Sequence, residues 1–497
     1  MENTNPQIPP VQETTGSSFF ERLANSVVLK FVIMFILVLF LLIPMEWVHG
    51  LIGERREREQ TVASEIAGKW GQPQVISGPV IGIPYTYMSS VNTTDDRGKP
   101  KVETYIEKDY VFLAAKKTEF SSEITPEYLK RGIYQTVVYN ATLKLHGHFE
   151  ELDLAKLGIP ADDLQWEHAK VFIGLSDLKG LTTTPQLKWK DENLGFQMGA
   201  GDVGLFERTM ESDINLSGKS TKGQFLIQMD VRGSRSLTFF PTAEETAIQV
   251  AGGWENPSFD GGFLPEDRTV GADTFAASWR IPSFGRKFPQ QWTGAKKSLY
   301  TILNTDFSDT DTDTEVAAAT VDAGTTATAA QAVEMSTEQD MVRIHFLESV
   351  NNYQKTTRAA KYGILIVLLT FTSLFFTEVI KKKRIHIVQY VLIGCAMVLF
   401  YSLLLAIGEH VGFNWSYFIS ALATIILIAS FIYGITKQMQ ISWLFSLILA
   451  VFYAFIYLLM QLQDFSLIVG TVGVFVILAI LMRLSTRVNW YQFDRRN

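Results

Sequence analysis

Cysteine is almost absent from this 497-residue sequence. Its single cysteine, Cys395, lies inside a long apolar segment. One thiol cannot form a disulfide within the chain, and it cannot build a cysteine-rich metal site or a thiol relay. The sequence therefore excludes a disulfide-stabilised fold, and it favours an ordinary apolar environment for Cys395.

The chain also lacks an excess of positive charge. Its formal net charge is −7, and its basic clusters flank apolar segments. Nucleic-acid binding needs a clustered basic surface that neutralises phosphates. We therefore expect no nucleic-acid partner, and we assign the basic clusters a role in membrane topology.

Catalytic signatures are missing as well. The sequence has no HExxH motif, no P-loop and no dinucleotide-binding fingerprint. Residues 174–180 contain a serine and an aspartate without the Gly-x-Ser-x-Gly frame of a nucleophile elbow, so they predict a turn. His146 and His148 share one face of a predicted strand, but no third zinc ligand is identifiable, and a surface strand end is favoured. We expect no catalytic residue, metal or cofactor.

Long apolar segments are what the sequence does have. Five follow one another near the C-terminus, at residues 362–380, 387–407, 417–435, 441–460 and 465–482. Each approaches the roughly 20 residues with which a helix crosses about 30 Å of hydrocarbon. A sixth, at 27–45, has no small-x-small cleavage site, which favours an uncleaved signal anchor over a signal peptide. The predicted fold is a multi-pass α-helical membrane protein with six transmembrane helices, five of them in a block at 361–482.

The polar parts of the chain divide into distinct regions. Residues 1–18 are rich in Asn, Pro, Gln, Thr and Ser and predict a flexible tail. Mixed charges at helical spacing predict a juxtamembrane helix at 46–70. Residues 305–340 form an acidic, Thr- and Ala-rich linker that lacks the glycine and closing glutamate of a calcium loop. Residues 483–497 form a basic tail.

A β-rich domain is predicted over residues 71–304. Short alternating runs rich in Val, Ile, Tyr, Phe and Thr are separated there by Gly, Pro, Asn and Asp. The strand pattern is clearest in four segments, 134–145, 170–175, 223–231 and 235–240. We expect a twisted sandwich or a pair of β subdomains, with short helices at 125–131 and 151–157.

The charged loops predict which side of the membrane each segment faces. Positive charges in short loops mark the cytoplasmic side. Basic residues follow the second, fourth and sixth apolar segments, whereas the loops 408–416 and 461–464 have none. Both termini are therefore predicted to be cytoplasmic, with the β-rich domain extracytoplasmic, between helices 1 and 2.

Four motifs near and within the membrane block resemble the CreD family of bacterial inner-membrane proteins. They are Tyr353-Gln354 with Arg358-Ala359 and Lys361-Tyr362, then Arg384-x-His386-x-x-Gln389-Tyr390, then Phe400-Tyr401-Ser402-Leu403-Leu404-Leu405-Ala406, then Glu409-His410-x-Gly412-Phe413. In the outer domain the similarity includes Ser77-Gly78-Pro79, Trp254 and Pro257-Ser258-Phe259. The resemblance runs from about residue 27 to residue 490, and the acidic linker is longer than the family's usual connector.

The resemblance implies a role in the integrity of the cell envelope at the bacterial inner membrane. It also implies colicin tolerance as the family's phenotype, induction by a two-component system in some members, and no catalytic residues to carry over. We therefore expect a protein that is not an enzyme, whose partners are the lipid bilayer and other envelope proteins. The oligomeric state stays open.

Glu409 and His410 are the candidate functional pair, at the outer end of the third apolar segment. A carboxylate beside an imidazole can relay protons or bind a cation, and ionisable groups in membrane segments are commonly functional. Because Gly412 and Phe413 follow at once, the pair is predicted at the membrane interface, where packing and loop capping are favoured. Glu378 is predicted to form an interfacial ion pair with Lys381 and Lys382.

Two alternative functions remain open at this point. A small-solute or proton-coupled transporter formed by the C-terminal helix bundle needs buried ionisable residues and broken helices near the membrane midplane, and these are scarce. A membrane hydrolase needs a nucleophile and a base that the sequence does not place.

Overall fold

The computed structural model describes residues 27–94, 100–201, 203–295, 298–300, 340–346, 352–381, 385–462 and 465–486. These residues form two compact units, one within Met1–Glu57 and Val350–Asn497 and the other within Arg58–Ser349. The predicted tail at 1–18, the acidic linker at 305–339, the basic cluster at 382–384 and the basic tail from residue 487 lie outside the described residues.

The first helix is much longer than a membrane span. Helix α1 (Val27–Trp70) has 44 residues, about 66 Å at a rise of 1.5 Å per residue. Residues 46–70, predicted as a juxtamembrane helix, are helical and continue the first apolar segment without a break. Pro44 removes one backbone donor without ending the helix, and the Glu, Arg and Ala residues that follow are strong helix formers.

Among the described residues of the sandwich, seventeen strands and a short α-helix follow α1. They are β1 Gln74–Thr94, β2 Pro100–Ala114, β3 Lys117–Arg131, β4 Tyr134–Phe149, α2 Leu154–Leu157, β5 Ala169–Leu175, β6 Gln186–Trp189, β7 Glu192–Gly195, β8 Gln197–Met198, β9 Arg208–Ile214, β10 Gly223–Ser234, β11 Ser236–Phe240, β12 Glu245–Gly252, β13 Pro257–Gly261, β14 Asp267–Val270, β15 Phe275–Pro282, β16 Gln291–Thr293 and β17 Val342–Phe346. One sheet has nine strands in the order β13-β17-β11-β1-β5-β9-β8, with β2 paired to β1 and β16 paired to β2. The other has eight, in the order β14-β15-β12-β3-β4-β10-β6-β7.

One hydrophobic core lies between the two sheets. Ile76, Val171 and Phe239 of the nine-stranded sheet pack in it with Phe120 and Leu143 of the eight-stranded sheet, and all five are buried. Because both sheets contribute one face to a common core, the unit is a β-sandwich. The β-rich domain expected from the alternating pattern is therefore present. It extends beyond residue 304, because β17 inserts between β11 and β13.

The helix predicted at 125–131 is wrong. These residues are the end of β3, and they pair with the start of β4 as far as Arg131 opposite Tyr134. Gly132, at φ +65°, allows the tight turn of this hairpin. Cross-strand pairing thus overrides the local helical preference of the segment. The other helix, predicted at 151–157, is present in shorter form as α2.

The first and last strands of the sandwich, β1 and β17, lie on either side of β11 in the nine-stranded sheet. β1 runs parallel to β11 and β17 runs antiparallel to it, so Gln74 and Ile344 both pair with Leu237. With strands about 4.8 Å apart, these two residues lie roughly 10 Å from each other.

Six helices are described after the sandwich. They are α3 Asn352–Lys361, α4 Gly363–Lys381, α5 Ile387–Val411, α6 Phe413–Thr436, α7 Met439–Gln461 and α8 Ser466–Ser485. The sequence pattern does not predict α3, because it is mostly polar. Its buried residues are Tyr353, Thr356, Ala359 and Ala360, a helical spacing that gives this short helix one buried face.

Five described helical stretches are long and apolar enough to span a membrane: Val32–Trp70, Asn352–Glu378, Ile387–Val411, Phe413–Thr436 and Met439–Gln461. The last apolar helix is described as a shorter stretch, Ile468–Arg483. The chain is therefore a multi-pass helical membrane protein with a large β-rich domain. The sixth span, at 465–482, stays a prediction.

Candidate functional site

Glu409 and His410 lie in the last turn of α5. The helix is followed by Gly412 at φ +80°, a conformation that favours glycine, and α6 begins at the next residue. The Glu409 side chain is 12% exposed, whereas His410 is exposed to a much larger extent. The two neighbours therefore have different environments, and the carboxylate is the enclosed member of the pair.

Two other helices supply partners for the Glu409 carboxylate. Arg55 of α1 places its Nε 3.6 Å from Glu409 Oε1. Tyr353 of α3 donates its hydroxyl to the same oxygen at 3.3 Å. Tyr353 is buried, and the Arg55 side chain is 43% exposed. Glu409 thus joins α1, α3 and α5 through one carboxylate oxygen.

The turn between α5 and α6 is also fixed by α3. The backbone N–H of Phe413 donates to Asn352 Oδ1 at 3.2 Å. Lys355 places its Nζ 5.7 Å from the centroid of the Phe413 ring, within the range of a cation–π interaction. The Ser416 hydroxyl donates to the Phe413 carbonyl at 2.9 Å. The first N–H group of α6 is therefore satisfied by a side chain of α3.

Sequence reasoning did not identify Arg55 and Tyr353 as partners of Glu409. Arg55 stands in the mixed-charge run at 54–59, which reads as a solvated helix face, and Tyr353 stands in a polar segment. Two signals point to them in retrospect. Tyr353 belongs to the first of the four motifs that resemble a family, and a carboxylate close to a membrane generally needs a basic or hydrogen-bonding partner.

The Glu409 site is suited to holding helices together. The Glu409 carboxylate accepts a hydrogen bond from Tyr353 and lies within ion-pair distance of Arg55, so it contacts side chains of two other helices. Among the described residues, no group of three or more His, Cys, Asp or Glu side chains is arranged to hold a metal ion. The contacts of Glu409 with Arg55 and Tyr353 can hold α1, α3 and α5 together, and the contact with Arg55 depends on the negative charge of Glu409.

A second enclosed carboxylate, Glu378, lies near the end of α4. Glu378 is buried, and Tyr390 of α5 donates its hydroxyl to Glu378 Oε2 at 3.1 Å. The side chains of Lys381 and Lys382 lie outside the described residues. The ion pair predicted between Glu378 and these lysines therefore stays a prediction, and the described contact is with a tyrosine.

Ser176 and Asp177 form a structural turn, as the sequence predicts. The Ser176 hydroxyl donates to the Pro73 carbonyl at 2.7 Å. The Asp177 carboxylate accepts the backbone N–H of Gln72 at 3.0 Å. Both side chains are thereby engaged with the backbone that leads into β1.

The last turn of α1 is bonded to the sandwich through the same region. Gln74, fully buried, donates from Nε2 to the carbonyls of Asp177 at 3.0 Å and Arg232 at 3.1 Å. The Arg232 guanidinium carbon lies 4.5 Å from the centroid of the Trp70 ring. The Trp70 indole N–H donates to the Tyr139 carbonyl at 3.4 Å. Residues 67–74 are therefore fixed to the sandwich by backbone and side-chain contacts.

His146 and His148 each face a carboxylate at the surface of the eight-stranded sheet. His146 Nε2 lies 3.0 Å from Glu119, and His148 Nε2 lies 3.8 Å from Glu150. Lys117 also hydrogen-bonds to Glu119 and holds the pKa of that carboxyl below its ordinary value. The two imidazoles thus each lie beside a carboxylate at an exposed strand end.

Comparisons with known proteins match this chain along nearly its whole length. A family model described as "Inner membrane protein CreD" matches residues 26–491. The Escherichia coli (strain K12) protein named Inner membrane protein CreD is 26% identical over 460 residues, which cover 92% of this chain and 92% of that protein. The match therefore includes both the sandwich and the helices that carry Glu409.

Proposed function

The chain belongs to the CreD family of inner membrane proteins, and from this we propose that it supports the integrity of the bacterial cell envelope without catalysing a reaction. The observation that carries the proposal is the β-sandwich of Arg58–Ser349 on a chain with apolar helices at both ends. A sandwich of this size offers broad surfaces for other envelope components. The side chains that most resemble catalytic groups, Ser176 and Asp177, are used in its turns.

The proposed topology has six spans, cytoplasmic termini and a periplasmic sandwich. Lys437 follows α6 and Arg483 lies at the end of α8, whereas the turn from α5 to α6 carries no lysine or arginine. The basic residues at 381–384 and 487–496 follow the same alternation in the sequence. Positive residues in short loops are retained on the cytoplasmic side, which supports this orientation.

Reporter fusions test the topology. A periplasm-dependent phosphatase fused at Gly253 is expected to be active, and one fused after Arg384 inactive, because the charge pattern places the first outside and the second inside. Fusions at Gly412 and after Lys437 provide a second pair, with the same expected order of active and inactive. Activity after Arg384 or Lys437, with silence at Gly253, would contradict the proposed orientation.

We further propose that envelope-stress resistance and colicin tolerance depend on the folded protein and do not require a titratable group at Glu409 or His410. The double variant Glu409→Gln with His410→Asn should insert normally and restore envelope-stress resistance to a null strain. The glutamine oxygen can still accept hydrogen bonds from Arg55 and Tyr353. Resistance is compared at matched protein abundance, with the unaltered chain as the control.

A transporter is the second candidate function, because Glu378 and Glu409 are both enclosed among helices and enclosed carboxylates are typical of proton pathways. The same double variant separates the two functions. Normal abundance with lost resistance would favour the transporter, since an amide cannot change its charge state as a carboxylate does.

A further inference from the structure

Two tyrosine hydroxyls lie inside the helical unit with no hydrogen-bond partner among the described residues. They belong to Tyr401 of α5 and Tyr453 of α7, which are 1% and 2% exposed. Both residues stand near the middle of helices that are long and apolar enough to span a membrane. A buried tyrosine hydroxyl usually has a partner, and nothing in the hydrocarbon of a bilayer can supply one. Each hydroxyl therefore needs a polar partner within the unit.

The two tyrosines belong to one aromatic cluster. The ring centroid of Phe400 lies 4.8 Å from that of Tyr401 and 4.6 Å from that of Tyr453. The hydroxyls of Tyr401 and Tyr453 are close enough to interact electrostatically. Tyr417 of α6 packs on the same phenylalanine at 5.5 Å, but its hydroxyl donates to the Tyr453 carbonyl at 2.8 Å. The cluster thus brings together one bonded hydroxyl and two that lack a partner among the described residues.

The Tyr401 hydroxyl also lies beside a break in the helical stretch Asn352–Glu378. The break separates α3 from α4, which begins at Gly363. The N–H of Leu365 donates to the Tyr362 carbonyl, three residues back instead of four, so the α-helical hydrogen-bond ladder is interrupted here. A Cβ on Gly363 would lie 2.9 Å from the Tyr401 hydroxyl oxygen. The hydroxyl is therefore adjacent to the backbone at the break.

We propose that the hydroxyls of Tyr401 and Tyr453 and the backbone at Gly363 form a water-binding site inside the helical unit. Water fits the chemistry, because a hydroxyl and a water molecule can each donate and accept. A buried water molecule makes about three hydrogen bonds to polar groups that lack other partners. Hard cations bind mainly through carboxylates and several carbonyls, whereas these side chains are neutral.

The size of the ligand follows from the packing around the site. Tyr401 and Tyr453 are closed off from the surface of the unit, and the Met45 side chain of α1 packs directly against Gly363. This enclosure favours a ligand as small as water. The inference is independent of the proposed envelope function. It bears on the transporter candidate, because discontinuous helices that bind near the membrane midplane are typical of transporters.

X-ray hydroxyl-radical footprinting of the full-length protein in lipid nanodiscs tests the site. Irradiation makes radicals from water bound inside a protein, and these radicals oxidise the side chains that contact it. Tyr139 is the matched control, because it is fully buried and donates its hydroxyl to the Ser236 carbonyl at 2.8 Å. Tyr401 and Tyr453 should be oxidised roughly tenfold faster than Tyr139. Oxidation of either one at the rate of Tyr139 would overturn the site.

A second source of radicals tests whether the water is enclosed. Peroxide photolysis produces radicals in bulk solvent, and these should oxidise Tyr401 and Tyr453 no faster than Tyr139. Equal oxidation by the two sources would show that the tyrosines open to bulk solvent, which would overturn an enclosed water site.

The variant Tyr401→Phe tests the hydrogen bond to water by stability. If the hydroxyl bonds to internal water, its removal loses a hydrogen bond, and the thermal midpoint of the helical unit should fall. Tyr433→Phe is the control, because Tyr433 on α6 is exposed, and its midpoint should equal that of the unaltered chain. A midpoint for Tyr401→Phe at or above that of the unaltered chain would show that the hydroxyl is buried without a partner, which would overturn the proposal.

Discussion

Gly147→Ala should destabilise the sandwich by roughly 3 kcal/mol or more, because it forces a side chain into a closed site between strands. Gly147 of β4 pairs with Thr118 of β3 and with Phe225 of β10. A Cβ at this position would overlap the Lys117 carbonyl oxygen and lie 2.9 Å from the Phe225 ring. The first obstacle is backbone, so relief requires that β3 and β4 separate.

The loss of protease resistance on heating measures this effect in the full-length protein. At about 2–4 °C per kcal/mol for a domain of this size class, the midpoint for the Arg58–Ser349 unit should fall by roughly 6 °C or more. Gly195→Ala is the control, because a Cβ there meets no atom within 4 Å. Equal midpoints for the two variants would show that β3 and β4 can accommodate the methyl group.

Gln74→Leu should cost about 2–4 kcal/mol, since it removes a buried hydrogen-bonding group while nearly preserving the side-chain volume. The Gln74 amide donates to the Asp177 and Arg232 carbonyls, and a leucine leaves these acceptors with fewer donors. The contacts of Trp70 with Arg232 and Tyr139 depend on the same segment. We therefore also expect earlier proteolysis at residues 58–72 than in the unaltered chain.

Gln249→Leu is the matched control for this substitution. Gln249 lies on β12 and its side chain is exposed, so the change should stay within about 0.5 kcal/mol of the unaltered chain. Equal thermal midpoints for Gln74→Leu and Gln249→Leu would show that the hydrogen bonds of Gln74 contribute little to the stability of the sandwich.

Features that depend on local pattern were predictable from the sequence. The apolar segments identify the helices, since twenty apolar residues in a row satisfy their own backbone only as a helix in lipid. The alternation of apolar and polar residues in β4 and β10 identifies them as strands, because every second side chain of a strand faces the core of the sandwich.

Features that depend on distant partners were not predictable. Residues 125–131 are strand because β4 pairs with them, although the segment alone favours a helix. The partners of Glu409 come from positions 55 and 353, and no local spacing links these three side chains. The continuity of α1 through Pro44 was likewise not evident from the sequence, because a proline inside a helix commonly kinks or ends it.

The position of β17 sets the timing of folding. The residues of β17 are synthesised some 270 positions after those of β1. In the sheet, β17 pairs with β11 on one side and with β13 on the other. At about 5–20 residues per second, roughly 15–50 s separate the emergence of β1 and β17. From their own synthesis until that of β17, which starts 106 positions after the start of β11 and 85 positions after the start of β13, β11 and β13 have open edges, which are prone to wrong pairing. The sandwich therefore cannot be completed strand by strand as it emerges, because the sheet position between β11 and β13 stays open until β17 has been synthesised.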